Sequence, residues 1–483
     1  MSATIPHMSR EAPATAQADF DQPAPFNGRT QVSANALQGT TADERERFLP
    51  VTRYALIDRL TEPDAWPLGQ AAHARRFFRY LDYWRQQQYG ARLLSLEQDY
   101  EPFSPDSDLL MTRAYTPEER KILQKRVVEG IDRLLTQANY TRINPQQVEL
   151  ILTRETHYGL DLHVDLDAFE ELLVYYRGAT TRKDQRRSVR SFLRKQEIDV
   201  PIFRRLFVLF KLKSEEQRVA EIMRERKVSR RAATRAVRRM RSLLAPDVRD
   251  DLIYMKLFKN IPRADIEMVF PNTRVNFRPL DKLKLGITSG AGLGMGAFSA
   301  AGKLALVTTN PLAAAGAMFG LGGIIFRQCK KFFTERQRYM VIMAQNLYFH
   351  AMADNRGVLI KLASRAAEED TKEEILLYSV LAKGNYKRSD LSTIDHAIEQ
   401  YMLETFGVDV DFEIEDALGR LIEEGIVVEE SDGSLKTLPP ELAAALIDQR
   451  WDAFLDELSS SDHGEGVEML EAPVLEDGSA AEA

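Results

Sequence analysis

Residues 285–326 read LGITSGAGLGMGAFSAAGKLALVTTNPLAAAGAMFGLGGIIF, and the placement of this stretch decides the fold class. Lys303 is its single charged residue, and Thr308, Thr309, Asn310 and Pro311 break it near the middle. Two helices of about 19 residues fit on either side of the break, and at about 1.5 Å per residue each spans the roughly 30 Å of a hydrocarbon core. Ten of the 26 glycines of the chain fall here. A glycine costs about 1 kcal/mol relative to alanine in a water-exposed helix. In lipid, every backbone group must be paired internally, which enforces the helix, and small residues then let helices approach closely. Gly286, Gly290, Gly292, Gly294 and Gly296, with Gly316 and Gly320, supply GxxxG spacings for packing within the hairpin or between chains. A two-helix transmembrane hairpin is expected, with a hairpin buried in a large protein core as the alternative.

Basic residues flank both outer ends: Arg274, Arg278, Lys282 and Lys284 before, Arg327, Lys330, Lys331, Arg336 and Arg338 after. By the positive-inside rule both termini then face the cytoplasm, and Lys303 snorkels toward the outer turn. A phosphate loop is a poor fit, because Ala297 stands where its first glycine belongs and Leu304 follows Gly302 and Lys303 in place of Ser or Thr. Cys329 is the one cysteine, which rules out an internal disulfide, offers no metal-binding spacing and suits a reducing compartment.

Working outward, 483 residues call for several cores, and 44% hydrophobic with 28% charged residues is the composition of a folded protein. The net charge of −7 by itself suggests no polyanionic partner. Six divisions are expected: a disordered segment 1–43, a basic α+β cytoplasmic domain 44–284, the hairpin 285–326, a helical segment 327–387, a winged-helix-like module 388–458 and an acidic disordered tail 459–483. The fold class is thus α+β, mostly helical, with a transmembrane hairpin and a C-terminal winged-helix-like module.

Within the first domain, Phe77, Phe78, Tyr80, Leu81, Tyr83 and Trp84 read as helical packing material, and Ile122, Leu123, Val127, Ile131, Leu134 and Leu135 as an amphipathic helix. Leu160, Leu162, Val164 and Leu166 alternate with Asp161, His163, Asp165 and Asp167, the pattern of a half-buried strand. Asp161, His163 and Asp165 would share one face, but a polar outer face needs no metal and a hard cation wants a fuller oxygen cage. Further strands are expected at residues 172–176 and 206–212.

Residues 182–249 hold 22 Lys or Arg against 8 Asp or Glu. One helix there has Ala233, Ala236, Val237, Met240 and Leu244 on its apolar stripe, with Arg230, Arg231, Arg235, Arg238 and Arg239 elsewhere on its surface. A solvated face, attraction to anionic lipid headgroups and nucleic-acid binding compete as readings. Nucleic acid ranks last because no aromatic is interleaved with these arginines.

The run Phe258, Ile261, Pro262, Asp265, Glu267, Phe270 and Pro271 resembles the signature of the domain of unknown function 3754, the family that includes transmembrane protein 143. Phe48-Leu49-Pro50, Tyr176-Arg177-Gly178, Asp354-Asn355-Arg356-Gly357 and Lys372-Glu373 match further. The resemblance implies a membrane protein with a paired hydrophobic segment and no known activity. Glu11, Asp19 and Asp21 interrupt any transit peptide, so a bacterial inner membrane is expected, with a mitochondrial membrane as the alternative. Asp265 and Glu267, two residues apart, do not share a helix face and read as capping or pairing groups.

Residues 391–438 read as helix, turn, helix and a strand pair around Asp432-Gly433, which resembles a winged helix. Its second helix carries Glu413, Glu415, Asp416, Glu423 and Glu424 against Arg420 alone, which repels phosphates and favours a protein partner. The functional expectation is a non-catalytic, cytoplasm-facing membrane scaffold or adaptor, with a lipid bilayer, a protein and another copy of the chain as partners. No catalytic residue, cofactor or metal is assigned. The alternatives are a membrane-bound enzyme with its site in the α+β domain, or a basic-region binder of anionic lipid or nucleic acid.

Overall fold

In residues 206–212, LFVLFKL, branched and aromatic side chains follow one another with a single polar break, the pattern of a strand covered on both faces. The computed structural model describes residues 45–67, 69–107, 114–144, 147–148, 160–187, 195–242, 244, 248–263, 266, 269–271, 274–277 and 347–454. The elements in order are α1 (Arg53–Leu60), α2 (Gln70–Tyr100), α3 (Pro117–Gln137), β1 (Thr141–Arg142), β2 (Leu160–His163), β3 (Phe169–Arg187), β4 (Lys195–Leu212), α4 (Glu215–Arg226), α5 (Arg230–Arg241), β5 (Tyr254–Pro262), β6 (Arg274–Phe277) and β7 (Ala351–Asp354). They continue with α6 (Asn355–Leu381), β8 (Tyr386–Lys387), α7 (Leu391–Phe406), α8 (Ile414–Glu423), β9 (Val427–Glu429), β10 (Ser434–Thr437) and α9 (Pro440–Ala453).

Five strands form an antiparallel sheet in the order β1-β3-β4-β5-β7. Because side chains alternate across a strand, one face carries Leu173, Tyr175, Phe207, Leu209, Met255 and Leu257 against α2, α3 and α6. The opposite face carries Val174, Leu206, Val208, Phe210 and Phe258 against Ile143, Val164, Ile266, Val269 and Phe270. Both faces are thus buried, which explains the nearly unbroken apolar run. The family-motif residues Phe258, Ile261 and Phe270 belong to this second layer, and Pro262 pairs with Ile202 at the end of β5. Strands β2 and β6 form a separate antiparallel pair.

Two long helices join this sheet layer to a second core. The first half of α2, with Phe77, Phe78, Leu81 and Trp84, packs on the last part of α6, Ile375 to Leu381, and on α7, α8 and α9. The second half of α2, with Tyr89, Leu96 and Tyr100, packs with Val358, Leu359 and Leu362 of α6 over the sheet. The helices therefore run antiparallel, and α6 reaches about 40 Å at 1.5 Å per residue. At the C-terminal end, β8, β10 and β9 make a three-stranded antiparallel sheet against α7, α8 and α9. Gly433 supplies the positive φ that the turn between β9 and β10 needs.

Among the described residues, no helix is long and apolar enough to cross a membrane. This corrects the expected fold class: the described residues are α+β around a five-stranded antiparallel sheet, with no membrane-crossing helix among them. It equally corrects the membrane character and the assignment to a bacterial inner membrane, or a mitochondrial one, with both termini cytoplasmic. The physical reason is charge: α2 and α6 are long enough, but Arg75, Arg76, Arg79, Asp82 and Arg85 stud one, and Arg365, Glu368, Glu369, Asp370 and Lys372 the other. Residues 285–326, with the packing glycines Gly286, Gly290, Gly292, Gly294, Gly296, Gly316 and Gly320, lie outside the described residues, as do 1–43 and 459–483.

Phe77 is fully buried, and its ring centroid lies 4.5 Å from that of Tyr378. Phe77→Ala is expected to destabilise the protein by about 3–5 kcal/mol in urea unfolding. Tyr83→Ala, on the exposed side of the same helix, should stay within about 0.5 kcal/mol.

Candidate functional site: a buried ionic hub and an exposed arginine helix

Halfway along α6, between the two apolar cores, the sequence Glu369-Asp370-Thr371-Lys372-Glu373-Glu374 places five ionisable side chains where each is at most 3% exposed. Charges so far from water must be paired, since each desolvated ion costs several kcal/mol. Glu374 accepts from Arg85 of α2 and from Arg420 of α8, each with a closest approach of 2.9 Å. Arg420 also reaches Glu373 at 2.5 Å and Asp370 at 3.4 Å. Tyr89 donates its hydroxyl to Asp370, and Asn139 its amide to Glu373 at 2.8 Å. Arg85 and the Trp84 indole both donate to Glu424, each at 2.9 Å.

On the other side of α6, Glu369 accepts from Arg177 of β3 at 2.6 Å and from Lys372 at 2.7 Å. The Leu49 amide donates to Glu369, and Lys372 donates to the Leu49 carbonyl. The Arg177 guanidinium lies 4.4 Å from the Phe48 ring centroid. Three motifs quoted from the sequence, Phe48-Leu49-Pro50, Tyr176-Arg177-Gly178 and Lys372-Glu373, therefore meet at one place. Gly178 is required there: its φ is +75°, and a Cβ would stand 2.9 Å from the Arg204 side chain.

Burial pushes Glu373 up to about 8, against the pull of Arg420. Burial likewise raises Asp370 and Glu374 and lowers Lys372. For Arg420, burial works against the charge, but Asp370, Glu373 and Glu374 outweigh it and hold the proton more firmly. These groups are enclosed by the core, and their geometry fastens α2, β3, α8 and residues 45–50 to α6.

The second feature is α5. Ala233 and Val237 are buried against Val219 and Ile222 of α4, so the apolar stripe is used within the protein. Six of its twelve residues are arginines and none is acidic. Arg238 pairs with Glu215 at 3.1 Å, and Arg241 with Asp250 at 2.8 Å. Arg230, Arg231, Arg235 and Arg239 are exposed and have no ion-pair partner among the described residues. With Thr234 and Arg238 they line one open surface concavity. The two helices contrast at their ends. α4 starts on Glu215 and Glu216 and finishes on Arg224 and Arg226, which suits its dipole, whereas α5 starts on Arg230 and Arg231, which opposes it.

The remaining sequence candidates fare differently. Asp165 is engaged by Arg218 at 3.2 Å, while the side chains of Asp161 and His163 lie outside the described ones, as do Asp265 and Glu267. Asp395, His396 and Glu399 bring donor atoms within 4.8 Å of one another, but Arg45 already pairs with Glu399 at 2.7 Å. On α8, Arg420 turns inward to the hub, and Glu415 pairs with Arg388 at 2.7 Å. The hub as a whole escaped sequence reading. Its signal was a run of seven polar residues, 368–374, in the middle of α6, which periodicity assigns to solvent.

Residues 169–357 match the family described as Protein of unknown function (DUF3754). The resemblance read from the motif residues therefore holds at the level of that domain, and the narrower likeness to transmembrane protein 143 gains no support from it. No solved structure matches the chain.

Two substitutions test the hub. Arg420→Ala leaves Asp370 and Glu374 short of a cation and Glu373 without its donor, and is expected to cost about 3–5 kcal/mol in chemical unfolding. A loss below about 1 kcal/mol would contradict the pairing described. Unfolded, Glu373 titrates near 4.5; folded, it keeps its proton up to about 8. The folded state thus binds more protons between these values, so this contribution is fully present below the lower one and is lost as pH rises through the upper. Glu373→Gln should make the decline in thermal midpoint between about pH 5 and 8 shallower. An unchanged slope would remove Glu373 as a source.

Proposed function

We propose that the chain is a non-catalytic scaffold that engages a polyanionic partner through the arginine face of α5. The observation that carries this reading is the set of four exposed arginines, Arg230, Arg231, Arg235 and Arg239, unpaired among the described residues on a helix with no acidic residue. Bringing like charges together, two of them at the positive end of a helix dipole, raises the free energy of the unbound protein. A bound polyanion relieves that repulsion. Among the described residues, no acid of α4 pairs with these four arginines: Glu221 is held by Lys213 and Arg218, Glu225 by Arg218, and Glu215 by Arg238.

The disposition of the acids and bases favours binding over catalysis. The hub carboxylates Asp370, Glu373 and Glu374, raised by burial, are locked to Arg420 and at most 3% exposed, where no substrate reaches them. Their work is to hold the modules in fixed relation, which keeps the arginine face on a rigid support. The acidic face of α8 supports a secondary protein contact, since Asp416 and Glu423 remain exposed while Arg420 is withdrawn.

Titration of the full chain with long-chain inorganic polyphosphate at low salt tests the reading. Each free arginine near a polyanionic surface is worth about 1 kcal/mol. The combined variant Arg231→Ala, Arg235→Ala and Arg239→Ala should therefore weaken binding by about a hundredfold while the thermal midpoint is kept. Absence of binding, or binding untouched by the three substitutions, contradicts the proposal.

A further inference from the structure

The arginines of α5 differ in direction as well as number. At about 100° per residue, with Arg230 as origin, Arg231 points to about 100°, Arg235 to about 140° and Arg239 to about 180°. The buried Ala233 and Val237 lie at about 300° and 340° on the same scale, which leaves the arginines spread over a half-circle of the helix. A flat anionic surface touches one side of such a helix and cannot engage Arg230 and Arg239 together. A groove with a phosphate wall on each side can.

We propose that the polyanion is double-stranded DNA, with α5 lying in the major groove and Arg230 and Arg239 reaching the phosphates on opposite walls. This rests on the polyanion-binding reading and names its partner. The groove, about 12 Å wide, admits one helix, whereas the major groove of A-form RNA is too narrow and deep for side chains to read. The lack of aromatics on α5 argues against single strands, where bases stack on rings, but not against a duplex, whose bases stay stacked.

The local architecture suits this docking. α4 and α5 are consecutive helices of twelve residues joined by the three-residue turn Lys227-Val228-Ser229, and Lys227 adopts the left-handed conformation that turns the chain. In helix-turn-helix proteins the second helix enters the groove with its N-terminal end toward the bases. Here that end carries Arg231, directed between the two wall-facing arginines Arg230 and Arg239, and arginine is the side chain that reads guanine through two hydrogen bonds. Arg224, Arg226 and Lys227, also exposed at the turn, extend the positive surface toward the backbone.

The experiment measures fluorescence anisotropy of the full chain with a labelled duplex about two helical turns long, the matching single strand, and, by flotation, vesicles of phosphatidylcholine and phosphatidylserine at equal salt. The duplex should bind tightest, with a slope of log K against log salt of about −4. Arg230→Ala and Arg239→Ala should each weaken duplex binding severalfold and reduce the slope by about 0.9. Both residues are exposed, so the fold is checked by an unchanged thermal midpoint. An effect from only one of the two, or single strand or vesicle bound as tightly as duplex, overturns the groove. Polyphosphate binding that depends on Arg231, Arg235 and Arg239, without duplex preference, overturns this inference and leaves the broader reading standing. Failure to bind any of these polyanions overturns both.

Discussion

The contact between Arg420 and the carboxylates of α6 is the interaction on which the architecture depends. Arg420 belongs to α8, in the C-terminal module, yet its guanidinium reaches Asp370, Glu373 and Glu374 in the middle of a helix whose first half lies over the sheet. Arg85 adds a second tie, linking α2 to Glu374 and to Glu424 at the end of α8. Arg177 and Lys372 make a third with Glu369, and Lys372 also holds the chain at Leu49. Segments more than three hundred residues apart in sequence are thereby fixed to one stretch of helix. Such a network adds little stability beyond what an apolar filling of equal volume would give, because desolvation offsets most of the attraction. What it supplies is selectivity: a carboxylate left without its arginine is so unfavourable that one docking of the modules is strongly preferred.

The arginines of this protein divide into two populations with opposite physical circumstances. Arg85 and Arg177 are buried, and Arg420 half-buried, each matched to carboxylates and held by several bonds. Arg230, Arg231, Arg235 and Arg239 project from a short helix whose apolar side is already covered. The first population is saturated and serves the fold. The second is unmatched among the described residues and carries a surface potential of one sign, in a chain whose net charge is −7. Under the proposed function, this local field, opposed to the overall charge, steers a polyanion to that one place.

Much of the strand pattern was legible because it follows simple periodicity. The apolar runs at 172–176 and 206–212 fall within β3 and β4, and the buried aromatics of α2 lie where their spacing put them. The arginine helix was equally readable, down to its stripe of Ala233 and Val237. The hub was not, because charge in a helix signals solvent unless the partners are known, and its partners come from α2, β3 and α8. Arg420 is the clearest instance: read on its own helix it is a lone base among acids, and only the fold reveals that it faces inward. The transmembrane reading is corrected only as far as the described residues reach, and its weakness is the opposite one. Composition and glycine spacing describe a segment without saying what surrounds it, and among the described residues no helix can cross a membrane.

Hydrogen–deuterium exchange of the full chain, with and without long-chain polyphosphate, tests the central claim most directly, since it reports rigidity and contact residue by residue. The account predicts that the amides of residues 368–374 are among the slowest to exchange and do not respond to the polyanion, while those of α4 and α5 become protected when it is added. Fast exchange in the middle of α6, or protection that leaves α5 untouched and appears elsewhere, would contradict it.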